Sequence, residues 1–282
     1  MDSGGNIAHK KEVNVTVNII VCVKQVIDPE APPSSFKVDE AGKKVVPPSG
    51  VPPVISPFDE NAVEAALRVK DAQGGKITVL SMGVNLLREV VKKPLSMGAD
   101  EIVLLEDEAF TGGDSWSNAR ALAMAVKKIG EYDLIFCGRQ AADWDDGQVG
   151  SGIAEILELP CVTVARKIDV ANGKAVVERV TADGYEVIEV SLPALITVSN
   201  ELGEARYPTI KGIMAAKKIE PLVWTPADIG LEPDQIGAAG RKMNLEKLYQ
   251  PVHEGKCELI EGESPEEAGV NLALKLREAK LL

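Results

Sequence analysis

The sequence has few of the residues on which metal binding, disulfide formation and acid–base catalysis usually depend. It contains two histidines, His9 and His253, and four cysteines, none of which forms a C-x-x-C pair. Histidine-based metal sites and catalytic triads are therefore nearly excluded, as are a disulfide framework and a structural zinc site. Cys22, Cys137 and Cys161 lie in apolar, strand-like runs, where cysteine usually behaves as a small buried apolar residue. This pattern is typical of a reducing compartment, so we expect a cytoplasmic protein.

Long apolar runs and an excess of positive charge are also missing. No run approaches the roughly 18 apolar residues of a membrane span, so no membrane insertion is expected. The 43 acidic side chains outnumber the 31 basic ones and give a net charge of −12. Such a chain is a poor candidate for nonspecific binding to nucleic acids or anionic membranes.

Three common active-site motifs do not occur in the chain. No G-x-G-x-x-G follows the first strand, and neither G-x-x-x-x-G-K-[ST] nor G-x-S-x-G occurs anywhere. Dinucleotide-dependent dehydrogenases, P-loop enzymes and α/β-hydrolases thereby lose their main support. The segment Gly112–Ser115 faintly resembles the glycine-rich loop of ATP pyrophosphatases, but it follows the third predicted strand and is better explained as a helix cap.

What the chain does contain is an alternation of short apolar strands and amphipathic helices, which predicts a parallel sheet with helices on both faces. The predicted strands are Asn18–Lys24, Lys76–Met82, Glu101–Leu105 and Leu134–Gly138. Helices are predicted to begin at Ser56-Pro57, after Gly83, at Asp114 or Ser115, and at Asp145 or Asp146. A strand from Cys161, an added β-hairpin around Asp183-Gly184 and a buried strand at 193–199 follow.

The remainder of the chain shows little regular periodicity. We expect a disordered leader over residues 1–17, an α/β domain over 18–200, a loop over 201–220 and an extended C-terminal arm over 221–282. The polar opening lacks the apolar core of a secretory signal and the arginines of a transit peptide. One late helix is predicted from Pro265 to Lys280. An arm of this length would be unstable alone, so it should lie along the domain or along a partner.

Residues 138–152 are the first candidate for chemistry, because they follow a predicted strand at the edge of the sheet where ligands usually bind. The backbone amides of Gly147, Gln148, Val149 and Gly150 would be helix N-terminal donors for a phosphate or pyrophosphate. The alternative is a plain loop in which an aspartate caps the helix. The residues themselves leave the two interpretations about equal, since three nearby aspartates would repel a phosphate unless they point away, cap amides or hold a cation.

A second candidate is the locally basic stretch Arg206–Lys218, which contains an exposed-looking Tyr207 and Ile210. It could present an apolar anchor to a partner while the basic residues steer the encounter. The alternative is a short helix over Lys211–Lys218 that packs Ile213 and Met214 into the core, and the residues alone favour this alternative.

Several ordered motifs resemble the β subunit of electron transfer flavoproteins. The similarity covers the chain from about Asn18 to beyond Lys218 and is weaker in the tail. The matching segments are Val23–Asp28, Ser56–Glu64, Met97–Asp100, Gly138–Gly150, Val177–Thr197 and Arg206–Lys218. Ala182 departs from the acid that is usual in the fifth of these.

The resemblance implies a Rossmann-like, adenine-nucleotide-hydrolase-like domain that forms a heterodimer with an α subunit carrying an electron-transferring FAD. It implies electron transfer between a flavin dehydrogenase, such as an acyl-CoA dehydrogenase of fatty acid oxidation, and a downstream quinone oxidoreductase or similar acceptor. The β subunit itself would bind AMP or, in the electron-bifurcating branch that can use NADH, a second FAD. No acid–base pair or nucleophile is predicted, because the redox chemistry belongs to the flavin.

By resemblance, cofactor-binding and partner-recognition roles fall on individual positions of this sequence. The partner-recognition residues would be Arg206, Tyr207, Ile210 and Met214, with Ile210 as the apolar anchor. The residues expected to bind the nucleotide are Cys22, Ser56, Met82, Gly138, Arg139, Gln140, Ala141, Asp143, Asp145, Gly147, Gln148, Val149 and Gly150.

Some positions depart from the family pattern and bear on the choice of ligand. Val149 resembles the bifurcating branch and favours FAD in the β site, with AMP as the alternative. Trp144 and Asp146 fit neither branch, and Ser56 replaces the usual asparagine. Two other functions compete: a stand-alone ATP- or AMP-binding domain of the universal-stress type, and an interaction protein that kept the fold but lost the ligand. The hairpin and the long tail argue against the universal-stress type.

Overall fold

The computed structural model describes residues 16–251, 255 and 257–282, so His9, His253 and most of the predicted leader lie outside the described residues. The first strand begins at Val17, inside the range predicted as leader. In chain order the strands and helices are β1 Val17–Val23, β2 Gln25–Val26, β3 Lys37–Asp39, β4 Lys44–Val46, β5 Val54–Ile55, α1 Pro57–Gln73, β6 Gly75–Gly83, α2 Arg88–Val91, α3 Lys93–Met97, β7 Glu101–Glu106, α4 Ser115–Ile129, β8 Leu134–Gly138, α5 Val149–Leu157, β9 Cys161–Ala171, β10 Lys174–Thr181, β11 Gly184–Ser191, β12 Ala194–Val198, α6 Ile210–Ala216, β13 Leu222–Trp224, α7 Gly237–Gly240 and α8 Pro265–Glu278.

A nine-stranded sheet organises the larger of two units, which comprises the described residues up to Lys37 and from Val46 to Glu246. Its strand order is β11-β10-β9-β12-β8-β1-β6-β7-β13. All neighbours from β9 to β13 pair in parallel, whereas β10 is antiparallel to both β9 and β11. The predicted parallel sheet and the added hairpin are therefore both present.

Two apolar layers cover the sheet, one on each face. The first packs α1 and α3 over alternate residues of the central strands, including Ile19, Val79 and Phe136. The second packs α4 and α5 over the opposite set, including Ile20 and Ile135. Because side chains alternate between the faces of a strand, these continuous apolar runs bury both faces, which confirms the α/β architecture.

Several local predictions need correction. The helix expected between Gly83 and Met97 is two short helices, α2 and α3, with Pro94 in the first turn of α3, where its missing amide is harmless. Cys161 is exposed, unlike the buried Cys22 and Cys137, because it begins β9 at the surface end. The irregular tail also contributes a strand that the sequence pattern did not reveal, since β13 joins the sheet beside β7.

The smaller unit comprises residues 38–45 and the described residues from Lys247 onward. Its helix α8 begins after Ser264, whose hydroxyl accepts a hydrogen bond from the Glu267 amide at 3.2 Å. This confirms the late helix, although it ends at Glu278. Val270, Leu272 and Leu274 of α8 remain exposed, and none of its residues is buried.

No helix in the described ranges combines the length and the apolar character needed to cross a bilayer.

Candidate functional site

The ends of three neighbouring strands bring most of the predicted site residues to one edge of the sheet. Because β8, β1 and β6 are adjacent and parallel, Gly138, Cys22 and Met82 lie side by side at their carboxyl ends. Ser56 precedes α1 at the same edge and is fully buried, and its amide donates to the Lys24 carbonyl at 2.9 Å. In an open α/β sheet this edge is the usual position of a ligand.

A buried carboxylate joins two of these strand ends. Asp59, in the first turn of α1, is 6% exposed. Its Oδ2 accepts from the Lys24 amide at 2.8 Å and its Oδ1 accepts from the Gly138 amide at 3.0 Å. Burial raises the pKa of Asp59 from 3.8 to about 7, although the two amides and the Lys24 ammonium oppose this rise. The sequence pattern does not single out Asp59, because the two amides that it binds lie 35 and 79 positions away in the chain.

The three aspartates of the loop between β8 and α5, which could repel a phosphate, each have a partner within the protein. Asp143 forms an ion pair with Lys24 at 2.8 Å. Asp145 accepts from the Gln140 amide group at 2.7 Å, and Asp146 accepts from the Ser115 hydroxyl at 2.9 Å. The carboxylates are thus engaged with neighbouring elements, which leaves the start of α5 free of a capping side chain.

The start of α5 differs from the prediction in a way that matters for ligand binding. Gln148, rather than Asp145 or Asp146, is the N-cap, and its side chain makes no capping hydrogen bond. Asp145 instead adopts a φ of 54°, and Gly147 a φ of 63°. The amides of Val149, Gly150 and the next residue have no acceptor four positions earlier within the helix, so they are available to an anion.

Close backbone packing explains the glycines at both ends of this loop. A Cβ on Gly138 would approach Asp59 Oδ1 to 2.5 Å and the Phe58 carbonyl carbon to 2.7 Å. A Cβ on Gly150 would lie 2.7 Å from a methyl group of Thr197. The loop and the first turn of α5 can therefore approach the sheet only with glycine at these positions.

Arg139 and Lys24 supply the positive charge at this edge. The Arg139 guanidinium lies over the Phe58 ring, 4.8 Å from its centroid, and its buried Nε is without a hydrogen-bond acceptor among the described residues. A buried donor of this kind is costly unless a partner arrives. Ala141 turns the chain by accepting from the Asp145 amide at 2.9 Å. Uncapped helix amides and the Arg139 guanidinium, whose buried Nε lacks an acceptor among the described residues, together fit a phosphate-bearing ligand.

Two thiols line the floor of the site. Cys22 and Cys137 occupy neighbouring strands and are both buried on the α4 and α5 face of the sheet. A hydrogen bond with Cys22, followed by burial, raises the pKa of the Cys137 thiol well above its usual range. The Cys137 sulfur therefore stays neutral and presents a small apolar surface rather than a nucleophile.

The predicted recognition segment contains the short helix expected from its sequence, but its apolar residues face outward. Helix α6 starts at Ile210 and is capped by Thr209, whose hydroxyl accepts from the Gly212 amide at 3.0 Å. Tyr207 is 87% exposed and Ile210 is 84% exposed. Ile213 and Met214 are also exposed, so the alternative in which they enter the core is wrong. The helix is held instead through its packing on α3 and the burial of Ala216.

A buried acid fastens this segment to α1. Both Glu64 oxygens accept from Arg206, through its backbone amide at 3.1 Å and its Nε at 2.8 Å among other contacts. Arg68 donates to the same carboxylate at 2.9 Å. Burial by itself would raise the pKa of Glu64, but the hydrogen bonds from Arg206 and Arg68 outweigh it and lower the pKa below 4.5. Arg206 is thus an internal tether, unlike the exposed Tyr207 and Ile210.

The first turn of α4 holds two distant segments. Asp114 caps the helix by accepting from the Ser117 amide at 2.9 Å, as predicted for the Gly112–Ser115 stretch. Its other oxygen accepts from the Lys242 and Met243 amides at 2.7 and 2.9 Å. Since Ser115 also binds Asp146, this turn connects the candidate ligand loop to residues 242 and 243 of the C-terminal arm.

Comparison with known proteins gives one family and consistent relatives. The family profile described as "Electron transfer flavoprotein domain" matches residues 43–229. The chain is 41% identical to the electron transfer flavoprotein subunit beta of Thermoanaerobacterium thermosaccharolyticum over 261 residues, 92% of this chain and 98% of that protein. It is 39% identical to the caffeyl-CoA reductase-Etf complex subunit CarD of Acetobacterium woodii, across 94% of this chain and all of the relative. Protein FixA of Azorhizobium caulinodans is 35% identical, with 83% and 85% covered.

Proposed function

The chain belongs to the electron transfer flavoprotein family as a β subunit, and from that premise we propose that it binds an adenine nucleotide at the carboxyl ends of β1, β6 and β8. An α subunit and flavin-dependent dehydrogenases are its partners in electron transfer. The observation that carries the nucleotide proposal is the set of backbone amides at the start of α5 that no side chain caps, beside a loop whose acidic side chains all have partners.

The proposed ligand contacts follow from the positions of the side chains. Val149 and Gly150 would offer backbone amides to a phosphate, and Arg139 would satisfy its buried Nε against the ligand. Cys22 and Met82 would form the apolar floor beneath an adenine or isoalloxazine ring. When a flavin is bound, it supplies the electron-carrying chemistry, while this chain binds, orients and shields it.

We favour FAD over AMP in the β site, with flavin-based bifurcation as the associated activity. Val149 at the start of α5 supports FAD by its resemblance to the bifurcating branch. The relative named as a subunit of a caffeyl-CoA reductase-Etf complex is consistent with this choice. The half-exposed Trp144 stands beside the loop, where its ring can stack on part of a bound ligand.

Co-expression with the cognate α subunit, followed by extraction of the bound cofactors, tests the proposal. Two FAD per heterodimer support a bifurcating complex, whereas one FAD and one AMP support a simple carrier. A stable monomer that hydrolyses ATP would instead favour a stand-alone domain of the universal-stress type. A heterodimer with neither AMP nor a second FAD would mean that the β site is a structural remnant.

We further propose that residues 206–214 recognise the partner dehydrogenase. The exposure of Tyr207, Ile210 and Met214 on a firmly tethered segment supports this role, because monomeric surfaces rarely hold several large apolar side chains close together without a partner. Arg206 contributes by fixing the segment to Glu64. The downstream acceptor would be a quinone oxidoreductase or a similar protein.

The exposed apolar side chains of α8 suit contact with the α subunit, which is the role we propose for the arm. A cytoplasmic location completes the proposal and is supported by the four cysteines, all of which are free thiols.

A further inference from the structure

Asp59 differs from an ordinary acid in the first turn of a helix, because it is buried and binds backbone amides outside its own helix. Its carboxylate lies beneath the loop, out of water, and receives one backbone amide from the end of β1 and one from the end of β8. Lys24 and Gly138, which donate these amides, are the residues at which the two strands pass into the candidate ligand site. One side chain therefore sets the spacing of two strand ends that must both be correct for the site to form.

The Asp59 side chain is also closely packed against its neighbours. The contact of 2.5 Å that a Cβ on Gly138 would make is with Asp59 Oδ1 itself. The Ser56 hydroxyl, three residues earlier, accepts from the Ala142 amide at 3.3 Å and holds the loop from the same turn. The start of α1 thus supports the loop through a hydroxyl and a carboxylate, and of the two only the carboxylate can change its charge.

We propose that Asp59 is a positioning residue whose ionisation controls nucleotide binding at the β site. The ionised carboxylate accepts both amides and holds the site in its binding geometry. A protonated carboxyl group keeps one good acceptor oxygen, and its hydroxyl hydrogen then faces the second amide. The inference rests on the proposed nucleotide site and adds its regulation.

The groups that face Asp59 set the direction of the response. Burial is the largest influence, and it raises the pKa of Asp59 to about 7. The Lys24 ammonium just after β1 lowers the pKa, Asp143 on the loop raises it, and the Cys137 thiol on β8 is neutral. Arg139 is directed to the ring of Phe58. The site should therefore lose its binding geometry as the pH falls through about 7.

The size of the effect follows from the fraction of competent protein. If only the ionised form binds, about one tenth of the protein is competent one pH unit below the pKa, so the apparent affinity falls about tenfold at that pH. Folding responds in the opposite direction, because a carboxyl whose pKa is raised in the native state stabilises the fold as the pH falls from about 7 toward 4.

The test is a titration of the heterodimer, with FAD in its α subunit, by AMP and separately by FAD at pH 6 and pH 8. The wild type should bind about tenfold more weakly at pH 6. Asp59→Asn should bind FAD, whose pyrophosphate keeps its charge over this range, weakly at both values and with no difference between them. With AMP, only the pH dependence of its own phosphate should remain. Glu60→Gln is the matched control, because Glu60 lies in the same helical turn but is paired with Lys93 of α3, and it should follow the wild type.

Two further measurements keep the inference testable if Asp59→Asn does not assemble. Lys24→Gln removes the cation that lowers the pKa of Asp59, so the midpoint of the binding profile should move to higher pH. The free energy of unfolding of the wild type, like that of Glu60→Gln, should also rise as the pH falls from about 7 toward 4, while the affinity for AMP or FAD falls. A purely structural role would make stability and affinity fall together.

The outcomes distinguish a failure of the role proposed for Asp59 from a failure of the proposed nucleotide site. Binding of FAD by the wild type that is equal at pH 6 and pH 8, or an undiminished pH dependence of FAD binding in Asp59→Asn, would overturn the role of Asp59 and leave the nucleotide site intact. Failure of both ligands to bind the wild type at either pH would overturn the proposed nucleotide site, and this inference with it.

Discussion

The ion pair between Glu64 and Arg206 is the interaction whose removal tests the recognition segment most directly. Glu64→Gln keeps the size of the side chain but removes the charge that binds Arg206 and Arg68. Removing one partner of a buried pair costs about 3–5 kcal/mol. The two guanidinium side chains are 36% and 46% exposed, so water compensates them in part, and we expect a loss of about 2 kcal/mol in the free energy of unfolding.

Equilibrium urea unfolding of the heterodimer at fixed protein concentration measures this loss. Glu89→Gln, at an exposed acid of α2, is the matched control and should lie within about 0.5 kcal/mol of the wild type. Because the pKa of Glu64 is lowered in the folded protein, the stabilisation is present above the usual value of 4.5 and is lost as the pH falls below it. The difference in the free energy of unfolding between Glu64→Gln and the wild type should therefore become smaller at acid pH.

The same variant should also weaken binding of the partner dehydrogenase, because the Arg206 amide and guanidinium, which hold the recognition segment, both donate hydrogen bonds to Glu64. We expect a higher dehydrogenase KM with unchanged cofactor content. Equal stability of Glu64→Gln and the wild type at pH 7, or a gap that does not change with pH, would refute the reasoning.

Three further predictions concern single side chains. Ile210→Ala should slow electron transfer from the dehydrogenase in stopped-flow assays and leave bound cofactor unchanged, because the side chain is exposed; loss of cofactor would show that the segment has another role. Gly138→Ala should abolish retention of AMP or FAD during gel filtration, since its Cβ would meet Asp59 and Phe58, and full retention would contradict the close packing. Ser81→Ala should raise the free energy of unfolding by about 1 kcal/mol, because the buried hydroxyl has no partner among the described residues; a clear loss of stability would indicate a partner that we have overlooked.

The elements with strong local signals could be predicted from the sequence. The strand Leu134–Gly138 has the predicted bounds, because a short apolar run ends in a glycine that the site requires. Asp114 caps α4 as expected, since a cap and its amide lie three residues apart. The predicted opening of α1 at Pro57 is confirmed, because proline suits the first turn of a helix.

The contacts that define the site could not be predicted, because they join residues far apart in the chain. Asp59 reaches amides 35 and 79 positions away, and Asp146 binds a hydroxyl 31 positions earlier. The expectation that an aspartate caps α5 was wrong, because Asp145 accepts from Gln140 within the loop and Asp146 accepts from Ser115 of α4. The outward direction of Ile213 and Met214 likewise depends on how α6 packs on α3, which helical periodicity does not determine.

The double use of Asp114 has a consequence for the order in which the chain assembles. Its contact with Lys242 closes a loop of 128 residues, far longer than the helix cap that the same carboxylate makes. Closing so long a loop costs entropy before any contact compensates it, so this contact should form late. On the ribosome, the sheet can be complete before residues 242 and 243 emerge. Residues 242 and 243 of the arm are therefore fastened to a finished domain, at a time when the part of the arm that follows them is still available to a partner chain.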